Sequence, residues 1–496
     1  MSPGLSHGEA PKPADILAGE RSSFRPLFRF QPEFSLFEFS FTSRGHAGSI
    51  EAFPIDTGAR AYAPSLFIRG FARGRIYVDS KVRYSNFRFM TDLEFDFTDP
   101  GTTQDSLPEG SSLPYSGQGE QEIRKALATV ALARTLFLAG GITQSHWGLG
   151  LMANHGDRRW APGSARFGDP IGGDKVLRAM IATRKYSAHK LQFYLAYDKV
   201  LRDEELHEQD NARILSSAIR FRTQSTLSGG ILWRMRDQDS YGEGSLERQE
   251  LNLHLSHTQP LTSGTTLKSA LEAFTRWGDL RPGTNQGTQQ SKIRAHALAL
   301  ESLLDLGGYG LNFDALYSSG DQDPLDEQET QATIDPNYEV GLILFPLIRS
   351  AQSKYRDSRA LLANAGLSAN SGNDALESRA GLESAFVVFP KIWWRISDGL
   401  EAYSGVLLAW ETGQAPKSIS STNHQDQDEE AADQSDSKFL GAEYDLGIRY
   451  TVLMKGSELS IGVEAGLFQH GPAMGSASED SGENTGLIRT LWSLRI

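Results

Sequence analysis

A side-chain period of two, held for ten to fourteen residues at a time, constrains this chain more tightly than any other feature of its sequence. "SNFRFMTDLEFDFT" (85–98) sets Phe87, Phe89, Leu93, Phe95 and Phe97 against Arg88, Asp92, Glu94 and Asp96. "TLSGGILWRMRD" (226–237) sets Leu227, Ile231, Trp233 and Met235 against Arg234 and Arg236. "ILSSAIRFRT" (214–223), "LKSALEAFTRW" (267–277) and "KFLGAEYDLGIRYT" (438–451) repeat the pattern, with Arg220, Arg222, Glu272, Arg276, Glu443 and Arg449 on the polar side. Alternation of this kind belongs to β-strands, whose successive side chains point to opposite faces. A soluble sheet uses strands of roughly five or six residues, whereas about ten tilted residues cross a bilayer. Long strands with one lipid-ready face and one charged face predict a closed membrane barrel, since lipid tolerates no unpaired sheet edge.

The connections alternate between short and long. Short ones fall near 80–85, 132–134, 186–189, 223–226, 259–264, 303–306, 388–391 and 453–456. Long polar ones fall near 44–64, 98–120, 146–173, 201–210, 237–247, 278–290, 319–373, 411–437 and 471–484. Short periplasmic turns and long extracellular loops give this rhythm. The expected fold is all-β: a single transmembrane antiparallel barrel of about 18 strands over 33–496, with 1–32 as a flexible periplasmic segment. "EFSLFEFSFTS" (33–43) would be the first strand and "TGLIRTLWSLRI" (485–496) the last, paired to close the barrel. A strand at 338–348 would break the even count, so 319–373 is expected to fold inward as one long loop, with helical character over 347–365. Trp147, Trp160, Trp277 and Trp410 lie near long-loop ends and Trp393, Trp394 and Trp492 near short-turn ends, as two aromatic girdles would.

Composition excludes several alternatives. There is no cysteine, hence no disulfide framework and no thiolate metal site. No apolar run approaches the length of a transmembrane helix, and hydrophobic content of 39% suits a barrel that needs apolar residues only at alternate positions. The net charge of -13 is concentrated in 321–335 and 421–437, which hold acidic residues and no Lys or Arg, so nucleic acid is not an expected partner. The N-terminus has no basic region leading into an apolar one. The expectation is a mature chain of the bacterial outer membrane whose signal peptide is absent from this sequence.

Strand parity turns many arginines toward the lumen. Arg69, Arg73, Arg75, Arg220, Arg222, Arg234, Arg236, Arg276 and Arg449 are the candidate solute contacts; the first seven lie in strands that lack an acidic residue alternating with them. Guanidinium groups select anions and fork onto carboxylates or phosphates. Arg–carboxylate ladders that merely stiffen a polar wall are the competing reading. Asp321, Asp323, Asp326 and Tyr338 are expected to shape the constriction loop. The three aspartates are a weak calcium candidate without EF-hand spacing, and no metal is assigned. Catalytic signals are poor. "GLSHG" (4–8) has no strand before it, and His146 and His155 match no metal spacing. His254 and His296, read as inward-facing, would be the residues of a rim hydrolase. No enzyme activity and no cofactor are expected. The expected partners are outer-membrane lipid and lipopolysaccharide, with periplasmic or other outer-membrane proteins and an anionic saccharide as further candidates.

"FDALYSSGDQDPLDEQETQATIDPNYEVGLILF" (313–345) resembles a stretch of alginate-export-type outer-membrane barrels, and looks closest to an uncharacterised myxobacterial branch. "SHWGLGLMANHGD" (145–157) and "FGDPIGGDKVLRAMIAT" (167–183) are similar to that branch's first long loop and following strand. The chain departs from the exporter pattern in its acidic 421–437 loop and in ending on Ile496 rather than an aromatic residue. The resemblance implies an 18-stranded barrel that passes anionic polysaccharide or small solutes. A closed barrel anchoring a motility or envelope machine is the alternative.

Overall fold

The computed structural model describes residues 36–51, 53–54, 61–62, 65–81, 88–99, 120–132, 135–156, 173–185, 189–203, 210–223, 226–240, 244–262, 264–281, 291–321, 328–350, 352, 382–413, 437–474 and 484–496. Eighteen strands run up and down in chain order. The first nine are β1 Leu36–Ile50, β2 Ser65–Lys81, β3 Arg88–Asp99, β4 Glu120–Leu132, β5 Leu136–Gln144, β6 Lys175–Thr183, β7 Gln192–Arg202, β8 Asn211–Arg222 and β9 Leu227–Ser240. The second nine are β10 Gly244–Thr262, β11 Thr265–Arg281, β12 Ser291–Asp305, β13 Tyr309–Ser318, β14 Ala385–Arg395, β15 Leu400–Glu411, β16 Phe439–Met454, β17 Ser457–His470 and β18 Asn484–Arg495.

Each strand pairs antiparallel with its sequence neighbours, and β18 returns to β1 in the register Gly45↔Trp492 and Ala47↔Thr490. Ile496 exchanges backbone hydrogen bonds with Phe41 at 2.9 and 3.1 Å, so the last residue takes part in closure. Closure leaves no edge. Where β12 overhangs β13, the two-residue strand Gln328–Glu329 covers Lys292 and Ile293 in parallel.

The outer face is apolar: Leu195 and Tyr197, Ile231, Leu251 and Leu253, Leu298, and Leu446 and Ile448 are all exposed. Their strand neighbours point inward and are buried, among them Asp198, Glu250, Asn252, Glu272 and Asp445. A protein with this belt meets membrane lipid around its circumference.

Several elements differ from the sequence reading. β1 extends through residues 44–50, a Gly- and polar-rich stretch without apolar alternation that looks like loop. The expected turn at 388–391 lies inside β14, where Pro390 occupies an outward position; the turn is at 396–399. The loop expected over 237–247 shrinks to the three residues between β9 and β10, because Asp237, Asp239 and Glu247 are outward strand residues. Trp147 and Trp393 are buried, so neither belongs to a lipid-facing girdle; Trp277, Trp394 and Trp492 are exposed on the outside. His296 faces outward and stacks on Tyr317 with ring centroids 5.7 Å apart, which removes it from any lumenal rim. No strand forms at 338–348; Leu344–Arg349 is one wide helical turn. Residues 1–32, Trp160, Asp323, Asp326 and nearly all of 411–437 lie outside the described residues.

Candidate functional site

Two inward segments meet inside the barrel. The first, 145–156 between β5 and β6, turns tightly at "WGLG", where Gly150 N–H donates to the Trp147 carbonyl at 2.8 Å. Gly148 has φ +57, a conformation that favours glycine, and the turn aims the N–H groups of Leu149 and Gly150 at the Glu272 carboxylate of β11. Asn252 on β10 bridges the same corner: it accepts from Trp147 Nε1 at 2.8 Å and donates to Glu272 at 2.6 Å.

The second segment, 328–350, is built the same way. Gly341 has φ +71, and the following N–H groups of Leu342, Ile343 and Leu344 converge on the Glu443 carboxylate of β16, the latter two at 2.9 and 2.8 Å. Successive N–H groups that converge after a left-handed residue form an anion-binding nest. A buried carboxylate is tolerable only when it is hydrogen-bonded, and here the loops' own backbone does this. Glu301 on β12 adds a third clamp by accepting from Tyr338 Oη at 2.9 Å.

Asp335 joins the two segments. Its carboxylate accepts from Asn154 N at 2.8 Å and from Asn337 N at 2.9 Å, while its own N–H donates to the Leu151 carbonyl at 2.9 Å. Burial and the nearby Asp203 carboxylate push its pKa up to about 7. Wall arginines hold loop carbonyls from the other side: Arg276 donates to Thr333 O at 3.1 Å and Arg234 to Met152 O at 3.2 Å.

Apolar packing completes the plug. Leu151, Met152, Ile334, Leu342, Ile343 and Phe345 are fully buried, against Ala295, Ala297 and Ala299 of β12 and Val387, Phe389, Leu407 and Phe468 of β14, β15 and β17. The alanine row gives a large inward segment room to lie on the wall.

The rest of the lumen is an ion-pair lattice. Arg75 pairs with Asp92 at 2.7 Å, which also pairs with Lys125 at 2.6 Å. Arg178 pairs with Asp198 at 2.7 Å, and Arg236 with Asp203. Glu250 collects Arg276 and Arg248 at 2.9 Å and Arg234 at 3.4 Å. Arg449 pairs with Glu401 at 3.0 Å. Of the arginines singled out by parity, Arg73, Arg234, Arg236, Arg276 and Arg449 are buried; Arg234, Arg276 and Arg449 pair with carboxylates of adjacent strands, and Arg236 with Asp203 just past the end of β7. Arg69 lies in β2, but its side chain is outside the described residues.

Arg220 and Arg222 are placed differently. They line a pocket on the short-turn side of the first loop, together with Lys185, Lys190, His254 and Trp147. Its cavity volume is about 50 Å³, it opens to solvent, and no Asp or Glu is among its lining residues. Arg220 lies 4.6 Å over the Trp147 ring, so one wall presents a cation on an aromatic platform. Lys185 and Lys190 come from a connecting turn, where strand parity gives no direction. Asp321 lies just past the end of β13, where it accepts from Thr330 Oγ1 of the second segment at 3.4 Å, and Tyr338 is buried in that segment.

No family model matches the chain, and no curated protein does either. Solved structures do. Pseudomonas aeruginosa OccK5 (OpdH) is 10% identical with a TM-score of 0.51, covering 93% of this chain and 98% of that one. The outer membrane protein opdK of Pseudomonas aeruginosa is 10% identical with a TM-score of 0.51, covering 92% and 99%. Pseudomonas aeruginosa OccK2 (OpdF) in complex with glucuronate is 10% identical with a TM-score of 0.50, covering 93% and 98%. At such identity the likeness carries the fold, and the fold, with its closed 18-strand ring and apolar belt, is that of porin-type barrels of the bacterial outer membrane.

Proposed function

We propose that this protein is an outer-membrane channel for small anionic solutes, carboxylated saccharides among them, with passage controlled by the two-segment plug. The cation-lined pocket carries the reading. Five titratable or cationic side chains gather beside an aromatic platform with no carboxylate in the lining. A carboxylated sugar offers an anionic group for the guanidinium groups, of which Arg220 is held against the buried Trp147 ring. The solved OccK2 (OpdF) complex holds glucuronate, a ligand of this class, in a barrel of similar fold. The resemblance of 313–345 to alginate-export-type barrels points to the same chemistry. Arg69, Arg73, Arg75, Arg234, Arg236, Arg276 and Arg449 would set the positive potential along the path, and Asp321 and Tyr338 would belong to the constriction.

The test is planar-bilayer recording of the purified chain under a salt gradient. The reversal potential is expected to favour anions, and replacing Arg220 and Arg222 by alanine is expected to shift it toward zero. An unchanged reversal potential in that variant would sink the assignment of this pocket.

A second reading has its own observation. The plug contains residues with no solvent exposure, such as Ile334, Ile343 and Leu344, which suits a sealed barrel that anchors a periplasmic or surface machine. Conduction separates the two. Silence that persists after removal of 328–350 would favour the anchor.

A further inference from the structure

The cation-lined pocket and the first inward segment share residues. Trp147 and Gly148 line the pocket, and they also begin the turn whose Leu149 and Gly150 N–H groups hold Glu272. His254, a third lining residue, is the direct cross-strand partner of Glu272. Gly148 is the point of contact between pocket and carboxylate: a Cβ there would stand 2.5 Å from Glu272 Oε2 and 3.1 Å from His254 Cβ. Arg220, 4.6 Å over the Trp147 ring, ties the pocket's cations to the same turn.

A cavity of about 50 Å³ holds a few waters or one carboxylate, not a whole sugar. The solute's anionic group is therefore what enters, and Arg220, Arg222, Lys185 and Lys190 line the space that receives it. Seated against Gly148, it would face Glu272 across the turn. Two carboxylates at one site repel unless a proton lies between them, and between buried groups that repulsion is weakly screened. Both also compete for the same two N–H donors. A displaced Glu272 keeps the Asn252 amide, now 2.6 Å away, with His254 beside it. The incoming carboxylate keeps the pocket cations, and the exchange moves no proton. Its effect reaches the second segment through Asp335, which accepts from Asn154 N at 2.8 Å and donates its own N–H to the Leu151 carbonyl at 2.9 Å.

We infer that the channel is opened by its own solute: a carboxylate bound on Arg220 and Arg222 takes the Leu149 and Gly150 N–H groups from Glu272 and frees the first inward segment from β11. The inference rests on the anion-channel reading and adds to it how passage begins.

The full chain, purified in mild detergent, is followed by backbone hydrogen–deuterium exchange over 145–156 and 328–340. Three solutions are compared: sodium glucuronate, sodium chloride of equal ionic strength, and glucose. Exchange at Asn154 and Asp335 is expected to quicken by at least about tenfold in glucuronate alone, the factor by which the solute must favour the released state over the docked one. An anion that binds without displacing Glu272 slows exchange there. That result, or equal exchange in all three solutions, would overturn the proposal. Arg220→Ala/Arg222→Ala is expected to exchange slowly in every solution. Glu272→Gln is expected to exchange fast in every solution, with heat-resistant mobility showing that its wall is folded; slow, glucuronate-sensitive exchange in this variant would also overturn the proposal. The wild type and the arginine variant decide the question if Glu272→Gln does not fold. Reversal potentials on the same preparations separate the two failures. Anion preference with glucuronate-independent exchange defeats this inference alone, whereas glucuronate-driven exchange without anion preference defeats the channel reading.

Discussion

Glu443 illustrates how single residues hold the inward segments against the wall. Its carboxylate is fully buried and accepts three consecutive backbone N–H groups. Glu443→Gln keeps the shape but turns an amide donor toward those donors. Plug docking is expected to weaken by about 2 kcal/mol, a roughly thirtyfold rise in open time. Single-channel open probability measures this, and an unchanged value would show that the nest is not a latch. Asp335 gives the plug a pH dependence. Its docked pKa is about 7, above the ordinary 3.8, so the docked state holds its proton more tightly than a released segment would. The resulting docking advantage is full below about pH 4 and is lost as pH rises through about 7. Lower conductance is expected at pH 5 than at pH 8, and Asp335→Asn should flatten the difference. A profile that runs the other way would remove Asp335 from the gate.

At the scale of elements, the strands were legible and the inward segments were only partly so. Period-two alternation locates strands because burial on the lumen side and lipid on the other act on every second residue. It fails where that contrast fades. Residues 44–50 put Arg44, His46 and Gly48 on one face and only Gly45, Ala47 and Ser49 on the other, and Asp237, Asp239 and Glu247 are charged on the outward face, so both stretches look like loop. Parity turns Arg234, Arg236 and Arg276 inward, where they are buried, but their carboxylate partners come from adjacent strands and loops, and a single strand's pattern does not contain that register. The plug's contacts were hidden for a similar reason: parity turns Glu272 and Glu443 inward without saying that backbone N–H groups from distant loops will meet them. The alanine row of β12 gives a test. Ala297→Leu adds bulk where the second segment lies, and is expected to cost plug docking about 1–3 kcal/mol while leaving the ring of strands intact. Limited proteolysis of 328–350 is expected to quicken, with unchanged heat-resistant mobility of the barrel. Loss of that mobility instead would mean that plug and wall fold as one unit.

For the molecule as a whole, closure accounts for most of what the chain is. β18 meets β1 so that no edge faces lipid, and the last residue is bonded into that seam. The same closure creates an interior, which two loops fill with apolar packing on one side and leave as an ion-pair lattice and a cationic pocket on the other. The proposed gate requires that the inward segments, held by backbone N–H groups on Glu272 and Glu443, release without unfolding the wall, whereas a sealed anchor does not. The most direct measurement is planar-bilayer conductance of the wild type beside a chain lacking 328–350. Small or rare anion-preferring steps in the wild type, and large, steady ones after the deletion, are the predicted result. Silence from both, in protein with barrel mobility intact, would contradict it.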